Sequence, residues 1–393
     1  MRLTALAAAL WALSAALPAS ANILLVPSQY PTIQCAVNAA QPGDTVRVSP
    51  RPDGTCYHES VSITTNDIRL EGDQAPILDG STLGQYNPLA PSDLPYFGND
   101  GINVNADGVT VCGFVVQNYY YYVNLPLTRL ACGIFVNPSN SGDIHDNTLQ
   151  HNGKGLEIDG FMNSAIVQTC NLSDNTISGS RSDGVLLSGV AGNIVVSHNT
   201  VYNNGFNGID GDEANGVKIR HNTVTGNCVT RQGAGIFLSN GGTMGGDPNA
   251  QPTIVEQNYV AANNLCTGIY LQFCSNQTVS HNTLTQNFDG IDIDFCDQDN
   301  VDHNTSSSNF GSGIVLFDLT TNCSVTFNTA SNNAQIGIWI AELFGLDTTG
   351  NTIAHNKASG NGTCDAEDDS GTPVANTWST NQFGAAKPTN LPN

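Results

Sequence analysis

Two short motifs alternate along most of the chain and set its apolar pattern. The first is an apolar-x-x-Asn-Thr-apolar string, clearest at 144–149, 172–177, 196–201, 219–224 and 279–284, with looser copies around Asn258, Asn304, Asn328 and Asn356. The second is Gly-apolar-x-apolar, opening at Gly101, Gly133, Gly155, Gly184, Gly208, Gly235, Gly268, Gly290, Gly313 and Gly337. Successive glycines stand 22 to 33 residues apart, around a base period of 22 to 24 with insertions accommodated in loops. Within each motif the apolar residues alternate, as in strands with one buried face. Strands this short cannot bury that face alone, so stacked copies must share one core. The expected fold is therefore all-β, a β-solenoid of about 10–12 coils. The repeated Asn is expected to stack coil on coil inside a turn.

The period assigns the chain to segments. Residues 1–21 carry one early Arg, an apolar run and Ala19-Ser20-Ala21, the pattern of a secretory signal peptide, so the protein is expected to be secreted. Residues 22–45 form an N-terminal cap, 46–362 the β-helix, and 363–393, where the repeat is lost, a C-terminal tail or cap. The apolar run is too short to span a membrane.

Composition narrows the function classes. Charged residues are only 12% of the 393, too few for salt-bridged coiled coils. The net charge of -22, without any Lys/Arg run, argues against nucleic acid as a partner. Export makes the 11 cysteines disulfide candidates, with one necessarily left over. Cys274 and Cys296 each lie six residues after a repeat Gly and are expected to bridge neighbouring coils. Cys228 with Cys266, and Cys35 with Cys56, are further candidate pairs.

Aligning the Gly-led strands places candidate chemistry on one outer face. Two positions after the Gly come Glu157, Leu186, Asp210, Phe237, Tyr270, Asp292, Val315 and Trp339; four positions after come Asp159, Ser188, Asp212, Ser239, Gln272, Asp294 and Phe317. Carboxylates mixed with rings suit an extended polysaccharide, and Asp159, Phe237, Tyr270 and Trp339 are candidate contacts. The bland alternative is a solvated face of an acidic protein. Asp210 with Asp212, and Asp292 with Asp294, are carboxylate pairs two residues apart, ~6.6 Å along a strand. Either pair suits acid/base work, and Asp292 with Asp294 also suit Ca²⁺. Five of the few basic residues, Lys154, Arg181, Lys218, Arg220 and Arg231, lie near Asp210 and Asp212 in sequence. A uronic acid needs such cations to neutralise its carboxylate, so Asp210, Asp212, Arg181, Lys218 and Arg231 form the expected catalytic group, with Lys154 and Arg220 as binding residues. Ordinary solvated ion pairs are the competing reading. His198, His221, His281, His303 and His355 each precede a repeat Asn and are expected to stack along one edge. Tyr119–Tyr122 suit either a sugar-stacking loop or packing over the helix.

The coil length resembles right-handed parallel β-helix proteins of the pectate-lyase-like superfamily, over about residues 28–362. In these proteins a segment similar to 30–48 is an amphipathic helix capping the open end of the core, which implies a short N-terminal helix here. Gly208-Ile-Asp-Gly-Asp-Glu213 is similar to the Gly-Ile-Asp-Pro-His-Asp stretch of mannuronan C5-epimerases, with Gly211 and Asp212 in place of Pro-His. The Gly-His-Gly and Arg-Ile-Lys motifs of polygalacturonases are absent from the sequence. Pectate lyases of this fold use carboxylate-bound Ca²⁺ with an Arg base. The resemblance implies a monomeric, secreted lyase or C5-epimerase of a uronic-acid glycan. A non-catalytic glycan-binding protein and a glycoside hydrolase using paired Asp are the alternatives.

Overall fold

The computed structural model describes residues 21–82, 100–120, 130–137, 141–160, 169–230, 233–242, 251–263, 266–342, 344–370, 376–387 and 391. Their strands form a parallel β-solenoid of about 12 turns with three sheets. Sheet 1 has 14 strands, from Ile23–Val26 to Thr377–Ser379; sheet 2 has 12, from Ile77–Asp79 to Gln382–Phe383; sheet 3 has 13, from Val61–Ile63 to Ala386–Lys387. The apolar-x-x-Asn-Thr-apolar motif runs from sheet 1 around a corner into sheet 2, and each Gly-led motif is a strand of sheet 3.

In-register columns build the core. On sheet 1, Ile144, Leu172, Val196, Ile219, Val255, Val279 and Val301 stack inward, all essentially inaccessible. Sheet 2 contributes Leu149, Ile177, Val201, Val224, Val260 and Leu284. The repeat Gly is required by close approach at the corner entering sheet 3. A Cβ on Gly208 would sit 2.5 Å from Val224 Cγ1 and 2.6 Å from the Gly235 carbonyl oxygen.

The expected Asn stack exists, and there are two. At the corner between sheets 1 and 2, Asn222 Nδ2 donates to Val196 O (2.9 Å) and Asn258 Oδ1 (3.0 Å), while its Oδ1 accepts from Asn199 N (2.9 Å). Asn147, Asn175, Asn282, Asn304, Asn328 and Asn356 repeat the arrangement. A second ladder through Asn204, Asn227, Asn263, Asn287, Asn309 and Asn333 turns sheet 2 into sheet 3. Buried amides are tolerated because each satisfies both its neighbour and a carbonyl that the bent backbone leaves open.

The helix α1 (Ile33–Ala39) covers the N-terminal end with Ile33, Ala36 and Val37. Thr32 Oγ1 accepts from Cys35 N, and the Glu59 carboxylate accepts from Ile33 N and Gln34 N. Both boundaries expected from the repeat shift outward. Ile23–Val26 already pairs with Thr45–Val48 in sheet 1, and the expected tail adds strands Cys364–Asp368, Thr377–Ser379, Gln382–Phe383 and Ala386–Lys387. Pairing continued there without the Gly-apolar signature because Cys364 and Ala366 supply the inward column.

The cysteines differ from expectation. Cys274 and Cys296 are neighbours in one column, with Cys274 N donating to Cys296 Sγ at 3.3 Å and no disulfide between them, and the Cys228 and Cys266 thiols lie within hydrogen-bond reach of each other. The histidines do stack: His198 on His221 at 5.0 Å, His281 on His303 at 4.9 Å, then Phe327 and His355. Tyr119 is buried and donates to Glu59 O; Tyr120 is half-exposed, and Tyr121 and Tyr122 lie outside the described residues.

Candidate functional site

The outer columns of sheet 3 pair as aligned from the glycines. Glu157, Leu186, Asp210, Phe237, Tyr270, Asp292, Val315 and Trp339 are successive partners in one row. A groove of about 660 Å³ lies over the middle of this face. Its floor holds Phe237, Tyr270, Asp292 and Asp294. One bank is the corner leaving sheet 2, with Phe206, Phe288 and Asp289, and the other bank carries Phe317, Asp318 and Phe344. Six aromatic rings and four carboxyl groups thus face one cavity, and among the described residues no Lys or Arg lines it.

The carboxyl groups differ in environment. Asp292 is 6% exposed; its Oδ2 accepts from the Thr267 hydroxyl at 2.5 Å, and its Oδ1 has no hydrogen-bond partner. Burial, then the charge of Asp289, raise its pKa well above the usual carboxyl range. Asp289 stands just before Gly290 and accepts from Ser312 N; burial raises it to about 6. Asp294 accepts from the Tyr270 hydroxyl at 2.9 Å. It is raised by burial and by the charge of Asp318, against lowering hydrogen bonds from Tyr270 and Gln272. Asp318 accepts from Phe344 N at 3.0 Å, which fixes the exposed Phe344 ring at the rim. The site therefore combines a buried carboxyl, whose pKa burial pushes up, with a second, more accessible one at the next outward position.

Three coils toward the N-terminus the pattern partly repeats. Asp210 is buried, accepts from Asn207 Nδ2 at 2.8 Å, and leaves Oδ1 without a partner. Burial and the charge of Asp183 raise it well above the ordinary range. Asp212 instead accepts from Ser239 Oγ and Asn240 Nδ2. Asn207 lines the groove, so Asp210 adjoins its end.

The basic group expected around Asp210 and Asp212 is dispersed. Lys218 and Arg220 lie on sheet 1, paired with Val195 and Ser197, because the chain turns a corner between Asp212 and Lys218. Lys154 is on sheet 3, but its ammonium is held 2.7 Å from the buried Glu157. Burial lowers its pKa and Glu157 raises it further, so it stays charged within that pair. Arg181 is exposed in the turn before the strand Val185–Ser188, and Arg231 lies outside the described residues. Asp159 is half-buried at its strand end, away from the groove lining. Trp339 donates Nε1 to Asp369 Oδ2 at 2.8 Å and touches Phe317 edge-on, one step outside the lining.

The donor set fits Ca²⁺ poorly. That ion takes six to eight oxygens, whereas the Thr267 and Tyr270 hydroxyls already donate to Asp292 and Asp294. Among the described residues no three His, Cys, Asp or Glu side chains converge on one point. Asp318, Phe206, Phe288 and Phe344 are site residues that strand alignment missed, because they sit at corners and in loops. Asp289 carried the available signal, a carboxylate immediately before the repeat Gly.

The sequence model described as a right handed beta helix region matches residues 132–295 and 232–383. The chain belongs to this family. Its solenoid is accordingly right-handed. Among solved structures it is similar to the periplasmic alginate epimerase AlgG, with 15% identity over 86% of this chain and 76% of that one, at a TM-score of 0.56. The A-module of Azotobacter vinelandii mannuronan C-5 epimerase AlgE6 matches at 15% identity over 88% and 92%, with TM-score 0.56. The enzymatically active domain of bacteriophage CBA120 tailspike protein 2 matches at 13% over 80% of this chain and 48% of that one, with TM-score 0.50. At these identities the likeness is one of fold. No curated protein matches the sequence. No helix among the described residues is long and apolar enough to cross a membrane.

Proposed function

We propose that the protein is an exported carbohydrate-active enzyme that hydrolyses glycosidic bonds of an extended glycan lying in the groove over sheet 3. The observation that carries this is the buried Asp292, its pKa raised, beside the accessible Asp294, in a groove lined by six rings. Asp292 donates its proton to the glycosidic oxygen as the bond to the anomeric carbon breaks. Asp294 takes a proton from a water whose oxygen bonds that carbon. Asp292 and Asp294 stand at alternate positions of one strand, so both reach outward toward the same stretch of the groove. Asp289 holds the proton on Asp292 by its negative charge. Tyr270 orients Asp294, and the Phe237 and Tyr270 rings, 5.3 Å apart, offer a platform for sugar faces.

A lyase or C5-epimerase acting on a uronate is the second reading. It is favoured by Gly208-Ile209-Asp210 and by the epimerases that share the fold. Against it, no Lys or Arg among the described residues lines the groove to meet a sugar carboxylate. One screen of the purified protein on neutral glycans, alginate, pectate and glycosaminoglycans, with and without Ca²⁺, separates the readings. Hydrolysis releases reducing ends without ultraviolet absorbance. A lyase adds that absorbance, an epimerase changes uronate configuration without new ends, and a binding protein does none of these.

A further inference from the structure

We infer that the glycan taken by this groove carries free amino groups, so that the substrate class is a cationic, amino-sugar polysaccharide. The inference rests on the glycan reading above and goes further, to the charge of the ligand. The groove presents Asp289, Asp292, Asp294 and Asp318, and among the described residues no Lys or Arg lines it. Asp292 is more than nine-tenths buried, and its Oδ1 lacks a hydrogen-bond partner. Such a group is costly to leave unpaired and finds its hydrogen-bond partner in the ligand.

A sugar hydroxyl, an ammonium or a uronate can lie against the outer carboxyl groups. Charge decides between them: Asp294 is opposed by the charge of Asp318, and Asp292 by that of Asp289. A cation between Asp294 and Asp318 relieves this repulsion, whereas a neutral hydroxyl does not and a uronate adds to it. The rings agree, because Tyr270 and Phe317 line the same stretch and an aromatic face attracts an ammonium. The chain's net charge of -22 acts in the same direction at long range, drawing in polycations and repelling polyuronates. The amine is held at Asp318, close enough to Asp294 to offset the repulsion between the two while Asp294 serves the water, and Asp292 remains the proton donor to the bond being broken.

The test is isothermal titration calorimetry of the full chain at about pH 6, where sugar amines are protonated. The probes are glucosamine oligomers in two linkages and a galactosamine oligomer, each paired with its N-acetylated twin. At least one amine form is expected to bind about tenfold more tightly than its twin, with the advantage shrinking as salt rises. Asp294→Asn, or Asp318→Asn if the first fails to fold, should remove most of that advantage. Asp299→Asn, outside the groove, should retain it. Equal binding of every pair, no binding of either form, or an amine preference that survives both groove substitutions overturns the inference. Amine preference without cleavage leaves the substrate class standing and removes the hydrolase reading. Cleavage of a neutral glycan without amine preference does the reverse.

Discussion

Asp299 shows how one imperfect rung in a ladder becomes a measurable pH dependence. It sits in the corner column between sheets 3 and 1, with Gln277 and Cys323 at the neighbouring positions and Asn351 one further along. Its Oδ1 accepts from Gln277 N at 2.7 Å, while the buried Oδ2 has no partner. Burial raises its pKa from 3.8 to about 7. Between those two values the unfolded chain gives up this proton and the folded chain retains it. Stability therefore falls as pH rises through the window and levels off above it. At about 1.36 kcal/mol per pKa unit, the full effect is about 4 kcal/mol, an upper figure for a buried group. Asp299→Asn replaces Oδ2 with a donor, as in Asn351, whose Nδ2 reaches the Thr320 carbonyl at 2.9 Å. The variant should match wild type near pH 3.5 and melt several degrees higher at pH 8, by calorimetry across the pH series. A melting difference that stays constant with pH refutes the reasoning, because a packing effect does not titrate.

Asn222→Ala removes a rung whose amide satisfies Val196 O and Asn258 Oδ1 and whose carbonyl serves Asn199. Leaving these buried groups open should cost roughly 3 kcal/mol or more, read as a lowered denaturant midpoint. Asp289→Asn removes the negative charge that holds the proton on Asp292. The alkaline limb of the pH–rate profile should therefore move to lower pH, and an unmoved limb would separate Asp289 from the chemistry.

Much of the fold was legible because its period is written in residues that packing makes obligatory. Gly208 has no room for a Cβ against the next coil, and Asn222 is the side chain that closes its corner. The same glycines fixed the register of the outer columns, and Asp292 and Asp294 were found that way. The cationic neighbourhood was misjudged because nearness in sequence is not nearness across a corner. Lys218 follows Asp212 by six residues and faces away from it on another sheet. Phe206, Phe288 and Phe344 escaped notice because corner and loop residues have no column to be aligned in. Cys274 and Cys296 share a column, but a disulfide depends on side-chain direction, which spacing does not encode.

The central claim is that Asp292 is the proton donor of a glycan-cleaving groove. Its most direct test is reducing-end release by wild type and Asp292→Asn on the glycan that wild type cleaves, with glycan binding measured in parallel. The account predicts a loss of about a hundredfold or more in kcat with binding retained. An Asp292→Asn protein that folds, binds and cleaves at the wild-type rate contradicts it.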